Sequence, residues 1–181
     1  MSIFLQSSGG GSITINEPTT ASNFTQTLPA STGTVMVSGN MPAFSAYLSA
    51  DTSISNATGT KIPINTEEFD TNGYYNNTTN YRFTPLIAGY YQVSGNTLIG
   101  APSTGTCIVQ IYKNGSAFKT GTQVPFSATA NYIASTVSAL IYFNGSTDYV
   151  ELYAYQSSGT TQTMFGASYV NYFQAVMVRG A

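Results

Sequence analysis

Residues 80–99, NYRFTPLIAGYYQVSGNTLI, constrain the fold of this chain more than any other stretch. Pro85 cannot donate to a strand ladder and Gly89 permits a tight reversal, so extension has to break between Phe83 and Tyr90 and then resume as a long run to Ile99. Two strands at an angle to one another are the expectation. Runs of the same kind recur at Ala43 to Ser49, Ile62 to Asn65, Tyr81 to Thr84, Cys107 to Lys113, Ala117 to Lys119, Ile133 to Phe143, Asp148 to Gln156 and Tyr169 to Val178, with polar or glycine-rich breaks between them. No helix is needed. Asn114-Gly115 and Asn144-Gly145 signal reversals, because both residue types tolerate the positive φ of a two-residue hairpin. Short strands joined by such turns predict an all-β head over residues 41–181, an antiparallel β-sandwich of two sheets.

Composition narrows what such a sandwich is for. With 181 residues, 42% of them hydrophobic, the chain suffices for one core plus an appendage. Only 7% of its residues are charged, against about 25% in ordinary soluble domains, so Ser, Thr, Asn, Gln and Tyr must cover its surface. Charge repulsion will not hold copies apart, and 14 Tyr beside no Trp suit broad half-buried sheets and contact surfaces. Long-lived self-assembly is expected. A net charge of −2 with five basic residues gives no footprint for a phosphate backbone, which argues against nucleic acid as a partner.

Chemistry is poorly supplied. With no histidine, neither a Ser-His-Asp nor a Cys-His arrangement can form, and no CxxC, phosphate loop or paired-histidine metal motif is present. The single cysteine, Cys107, excludes an intrachain disulfide and reads as a small buried hydrophobe at a strand start. Glu67, Glu68 and Asp70 form the only acidic cluster, yet adjacent strand residues point to opposite faces, so Glu67 and Glu68 make a poor hydrolytic pair. With the amides of Asn72 and Asn76 the same acids are hard oxygen ligands that could hold calcium, although the spacing is not that of an EF-hand. No enzyme and no cofactor are expected.

The order AFSAYLSA at 43–50, the FTPLIAGYYQV corner, IVQIYKNG at 108–115, DYVELYAY at 148–155 and SYVNYFQAVMV at 168–178 resembles the globular head of the first complement component, over roughly residues 42–179. That family shares a trimeric jelly-roll fold with tumour necrosis factor, so the resemblance implies a jelly roll, a homotrimer and a binding or structural module. The last strand departs from the family pattern, with Tyr172, Phe173, Gln174 and Ala175 where a phenylalanine, a small residue and a glycine are usual. Fold and trimer carry over; no ligand residue does.

Residues 1–40 differ from the head. Two short alternating runs, Ser12 to Asn16 and Thr34 to Ser38, are too small to bury a face alone, and Gly9 to Gly11 reads as a flexible joint that lets Ser2 to Gln6 reach a docking surface. The expectation is an extended β-arm for trimerisation and attachment, with Ile3, Phe4, Leu5, Ile13 and Ile15 as its apolar contacts. MSIFLQSSGGG has no basic n-region and too short an apolar patch for a signal peptide or a membrane span, which fits a protein made in a host cytoplasm and carried outside on a particle. The arm pattern resembles segments of phage fibre and virion-surface proteins. Within the head, DTNGYYNNTTNY at 70–81 is the candidate contact loop, Tyr74, Tyr75, Asn76 and Asn77 offering rings and amides either to a ligand or between subunits. The functional expectation is a trimeric capsid decoration, cement or head-fibre protein on the virion surface, partnered by itself and by capsid or fibre proteins. The alternative is the receptor-binding tip of a tail fibre that recognises host cell-surface glycan.

Overall fold

The computed structural model describes residues 3–16, 19, 25, 37, 41–100, 102–127 and 129–181, and the chain divides into two compact units, Met1–Gly33 and Thr34–Ala181. The expected run from Thr34 to Ser38 lies outside the described residues except for Val37.

The first unit holds β1 (Ile3–Gln6) and β2 (Ser12–Ile15), paired antiparallel with Ile3 opposite Ile15 and Leu5 opposite Ile13. Here the expectation of a flexible joint is corrected. The segment from Ser7 to Gly11 is the turn of a hairpin, closed by Ser7 N–H donating to Gly11 O (2.8 Å) and Gly10 N–H donating to Ser7 O (3.1 Å), with Gly10 at φ 86°. The run Ser12 to Asn16 therefore finds its strand partner in its own chain.

In the second unit every regular element among the described residues is a strand: β3 (Ala43–Tyr47), β4 (Thr52–Ile54), β5 (Thr60–Lys61), β6 (Thr66–Asp70), β7 (Tyr75–Asn76), β8 (Arg82–Phe83), β9 (Gly89–Gly100), β10 (Thr106–Lys113), β11 (Ser116–Thr120), β12 (Val124–Pro125), β13 (Tyr132–Phe143), β14 (Val150–Gln156), β15 (Gln162–Met164) and β16 (Tyr172–Gly180). One sheet runs β4–β15–β9–β16–β3–β6, with β13 also paired to β9; the other runs β11–β10–β14–β8–β7, with β12 on β10 and β5 on β14. All the strand pairs are antiparallel. The expected sandwich is what the chain forms.

The corner at Pro85 behaves as the sequence demands. β8 belongs to one sheet and β9 to the other, so the chain crosses the sandwich over residues 84–88. Gly89 has a different role from the one expected. It is not a reversal but a close approach, since a Cβ there would lie 2.4 Å from Arg179 O, where β16 pairs alongside. Asn114 and Gly115, at φ 53° and 80°, form the two-residue hairpin between β10 and β11. Asn144-Gly145 does not form one. β13 and β14 lie in different sheets, and the link is wound around Asn144 Oδ1, which accepts the backbone N–H groups of Ser146, Thr147 and Asp148. The run expected at Ile62 to Asn65 is not a strand either: β5 ends at Lys61, while Ile62 and Ile64 are buried.

The core is graded. At one end aromatic rings interlock: Phe44 stacks on Tyr75 and Phe83, both at 4.6 Å, and Tyr91 meets Phe143 edge-on at 5.1 Å. Toward the other end Ile54, Ile99, Val109, Leu152 and Met164 fill the space, with Cys107 fully buried among the apolar side chains. Burial pushes the Cys107 thiol up to about 12. The buried polar hub is Asn171, whose Oδ1 accepts from Thr97 Oγ1 (2.8 Å) and Leu98 N–H (2.9 Å) and whose Nδ2 donates to Phe165 O (2.7 Å) and Leu98 O (3.1 Å). One side chain thus satisfies backbone groups that the junction of β9, β15 and β16 would otherwise orphan.

Candidate functional site

The sequence singled out the 70–81 loop, and the structure splits it. Asp70 closes β6 and accepts the backbone N–H groups of Asn72, Gly73 and Tyr75, while Asn76 Oδ1 accepts those of Thr79 and Asn80. This stiffens the loop from within. Tyr75 turns into the core, 6% exposed, with its hydroxyl donating to Ile64 O at 2.8 Å, and burial holds its phenol well above the usual range. As a surface contact Tyr75 is therefore corrected: the ring that would touch a ligand is packed against Phe44. Tyr74 packs its ring partly against the core, Asn76 is exposed and Asn77 half-buried.

The expected acidic ligand set does not assemble. Among the described residues no group of three acidic or cysteine side chains is placed to hold a metal. Asp70 is occupied by backbone N–H donors, and Glu68 accepts the Ser45 hydroxyl at 2.7 Å on the edge of the sheet. Burial, and secondarily the charge of Asp70, raises the Glu67 carboxyl above its ordinary value.

Tyr74, Asn76, Asn80, Arg82, Thr84 and Leu86 instead line an open cleft of about 360 Å³ where β7 and β8 edge their sheet. Arg82 lies with its guanidinium carbon 4.4 Å over the Tyr149 ring. Asn80 is anchored from beneath by Lys61 Nζ, which donates to its carbonyl at 3.3 Å and pairs with the buried Glu151 carboxylate at 2.6 Å.

The arm residues form a second candidate surface. By register Leu5, Ile13 and Ile15 share one face of the hairpin, and Phe4 takes the other. Leu5, Ile13, Ile15 and Phe4 are all more than half exposed within their own unit.

A third surface was missed. The outer face of β13, β9, β16 and β3 carries Tyr142, Leu140 and Ser138 beside Tyr90, Gln92, Ser94 and Asn96, then Val178, Val176 and Gln174. No ionisable acid or base stands in its centre; charge enters only at the margin, with Glu67 and Glu68 on β6 and Arg179 near the end of β16. Leu140, Val176, Val178 and Phe69 are exposed, and a shallow groove of about 320 Å³ runs between Phe69, Gln92, Ser94, Gln174 and Val176. The polar groups are already paired in place: Gln92 Nε2 donates to Ser138 Oγ (2.8 Å), Gln174 Nε2 to Ser94 Oγ (3.1 Å) and Thr136 Oγ1 to Asn96 Oδ1 (2.9 Å). A partner covering this face would have fewer of these groups to satisfy. The signal was in the sequence, since the alternate positions Tyr90, Gln92, Ser94, Asn96 and Leu98 are uncharged where a solvated sheet face would be expected to carry Lys or Glu.

No family model and no curated protein matches the sequence. Solved structures match the fold. Eiger TNF from S. frugiperda is similar with a TM-score of 0.56 at 8% identity, covering 78% of this chain and 93% of that one. The globular domain of zebrafish complement 1qA gives 0.54 at 12% identity, covering 77% and 98%. PRD1 vertex protein P5 gives 0.52 at 17% identity, covering 76% and 97%.

Proposed function

We propose that this jelly-roll head of the tumour-necrosis-factor and complement globular-head type is a non-enzymatic structural protein of a phage virion: a homotrimer displayed on the particle surface as a capsid decoration, cement or head-fibre protein, held there by its arm of residues 1–40. The observation that carries the reading is the uncharged outer face of β13, β9, β16 and β3, where exposed Leu140, Val176 and Val178 flank a band of mutually bonded Gln, Ser, Asn and Thr side chains. Such a face suits burial between copies, because it has no charge to desolvate and several of its polar side chains already bond one another. The likeness in fold to PRD1 vertex protein P5 supports the virion setting, and the aliphatic face of the β1–β2 hairpin supports attachment through the arm.

Light scattering and native mass spectrometry on the purified protein test this. The expected mass is that of three chains. Val176→Lys and Leu140→Lys, which place like charges on the face and leave the core untouched, should yield folded monomers. A stable wild-type monomer at micromolar concentration sinks the trimer. A second reading, the receptor-binding tip of a tail fibre that touches host glycan, is favoured by the cleft around Tyr74, Asn76 and Arg82. Copy number per virion separates the two, hundreds for a decoration protein and a few dozen at most for a tip.

A further inference from the structure

We propose that the cleft between the 70–81 loop and β8 is a subsite for an acidic sugar, a pyranose ring bearing a carboxylate, on a cell-surface glycan; the proposal rests on reading the head as a displayed virion module. Recognition of such a sugar needs a guanidinium for the carboxylate, amides for the hydroxyls and an apolar or aromatic wall for the ring. The cleft supplies all three. Arg82 is the cation, Asn76, Asn80 and Thr84 bring polar groups, and Tyr74 and Leu86 form the wall, with Leu86 more than half exposed.

The charge arrangement makes Arg82 the group that answers an anion. Among the described residues the ion pairs are Lys61 with Glu151 and Lys113 with Asp148, and Arg82 belongs to neither. Glu151 sits opposite Arg82 in the β14–β8 register, but its carboxylate is buried and takes the Lys61 ammonium at 2.6 Å. The acid opposite Arg82 is thus neutralised by another base. Stacking on Tyr149 holds the guanidinium, so little side-chain freedom is lost when it forks onto a carboxylate.

The polar wall is equally fixed before any ligand arrives. Asn76 spends its carbonyl oxygen on the Thr79 and Asn80 N–H groups, which leaves its amide NH2 as a donor. The backbone of Asn80 is held in place, its main-chain carbonyl accepting from Lys61 Nζ. At about 360 Å³ the cleft matches one or two sugar rings. A nucleic-acid phosphate is a poor alternative, since the chain carries a net charge of −2. The cleft shares no lining residue with the groove on the uncharged face of the other sheet.

The experiment is a titration of the full chain with oligogalacturonate, oligoglucuronate and sialyllactose, with neutral maltopentaose and free acetate as comparisons, followed by calorimetry or by NMR shifts. At least one acidic saccharide should bind about tenfold tighter than maltopentaose and than acetate, and Arg82→Gln should weaken it about tenfold. Arg82→Lys should recover only part, because a point charge lacks the fork, and Tyr74→Ala should weaken binding in a head that still folds but melts lower, since part of that ring packs on the core. The proposal is overturned if no acidic saccharide binds, if maltopentaose or acetate binds as tightly, or if a folded Arg82→Gln protein binds as the wild type does. Native mass and particle incorporation of the same variants are read in parallel. A protein that binds the sugar but is monomeric or absent from particles overturns the virion reading and leaves the subsite standing.

Discussion

Tyr91→Ala tests whether apolar burial in the aromatic end of the sandwich holds the head together. The ring is fully buried, meets Phe83 and Phe143 edge-on at 5.8 and 5.1 Å, and donates its hydroxyl to Ile87 O at 2.8 Å across the corner that carries the chain from one sheet to the other. Burial pushes this phenol up to about 12, so it stays a neutral donor at any working pH. Removing a buried ring leaves a cavity and costs about 3–5 kcal/mol. For a chain of this size that is roughly 6–20 °C in melting temperature. Tyr91→Phe keeps the ring and removes the hydroxyl alone, about 1 kcal/mol and roughly 2–4 °C. Lys119→Ala, on the exposed edge strand β11 with its Nζ 5.1 Å from the Phe118 ring, should leave the melt unchanged within error. Calorimetric melts of the three variants at one fixed protein concentration decide the matter, since the midpoint of an oligomer moves with concentration. If Lys119→Ala loses more than Tyr91→Ala, or if Tyr91→Phe loses as much as Tyr91→Ala, the account of a head stabilised by buried rings is wrong.

Four further outcomes follow from the same geometry. Cys107, fully buried with its thiol raised to about 12, should resist iodoacetamide in the native protein at pH 8 and react only when denaturant is added; prompt native alkylation contradicts its placement. Asn171→Ala removes the acceptor and donors that serve Thr97, Leu98 and Phe165, and urea melts should place its loss near that of Tyr91→Ala, several orphaned buried groups at about 1–3 kcal/mol each. Burial would raise the Asp148 carboxyl, but the hydrogen bonds from Lys113, Asn114 and the Asn144 N–H, with the Lys113 charge, outweigh it and hold the group below its ordinary value; its contribution is present above the unfolded carboxylate range and is lost as pH falls through the folded value. Melts of Asp148→Asn should accordingly depend less on pH below about 4 than the wild type does. Deleting residues 1–40 should leave a folded, soluble head that no longer joins the particle, and full incorporation of the truncated chain would count against the arm.

What the sequence disclosed, and what it hid, follows from how locally each feature is encoded. The corner at Pro85 and the hairpin at Asn114-Gly115 depend on backbone preferences of two or three adjacent residues, and both are found where expected. Asn144-Gly145 carries the same dipeptide signal but turns between sheets, because Asn144 spends its side chain on the next backbone N–H groups, a choice set by the tertiary crossing rather than by the dipeptide. The strands that escaped notice, β4, β5, β6, β7, β12 and β15, are two to five residues long, too short for an alternation to show in sequence, and each exists through its pairing with a strand distant in the chain or across a loop.

The same distinction governs the surfaces. Tyr74 and Tyr75 look alike in sequence, yet Tyr75 opens β7 with its ring in the core, while Tyr74 precedes the strand and is only partly buried against that core. Asp70 decides which ring turns inward, since its hold on the Tyr75 N–H fixes the phase of the strand, and Phe44 receives the ring. The sequence marks both tyrosines as contact candidates, and the fold buries the Tyr75 ring while Tyr74, Asn76 and Asn77 stay partly or fully exposed. The uncharged face required a longer view, because no single strand looks unusual: only when β13, β9 and β16 are laid side by side in register does the absence of charge become a continuous surface. A sheet face built for water would alternate its core residues with Lys and Glu, and the low charge of the whole chain is in part the trace of this face.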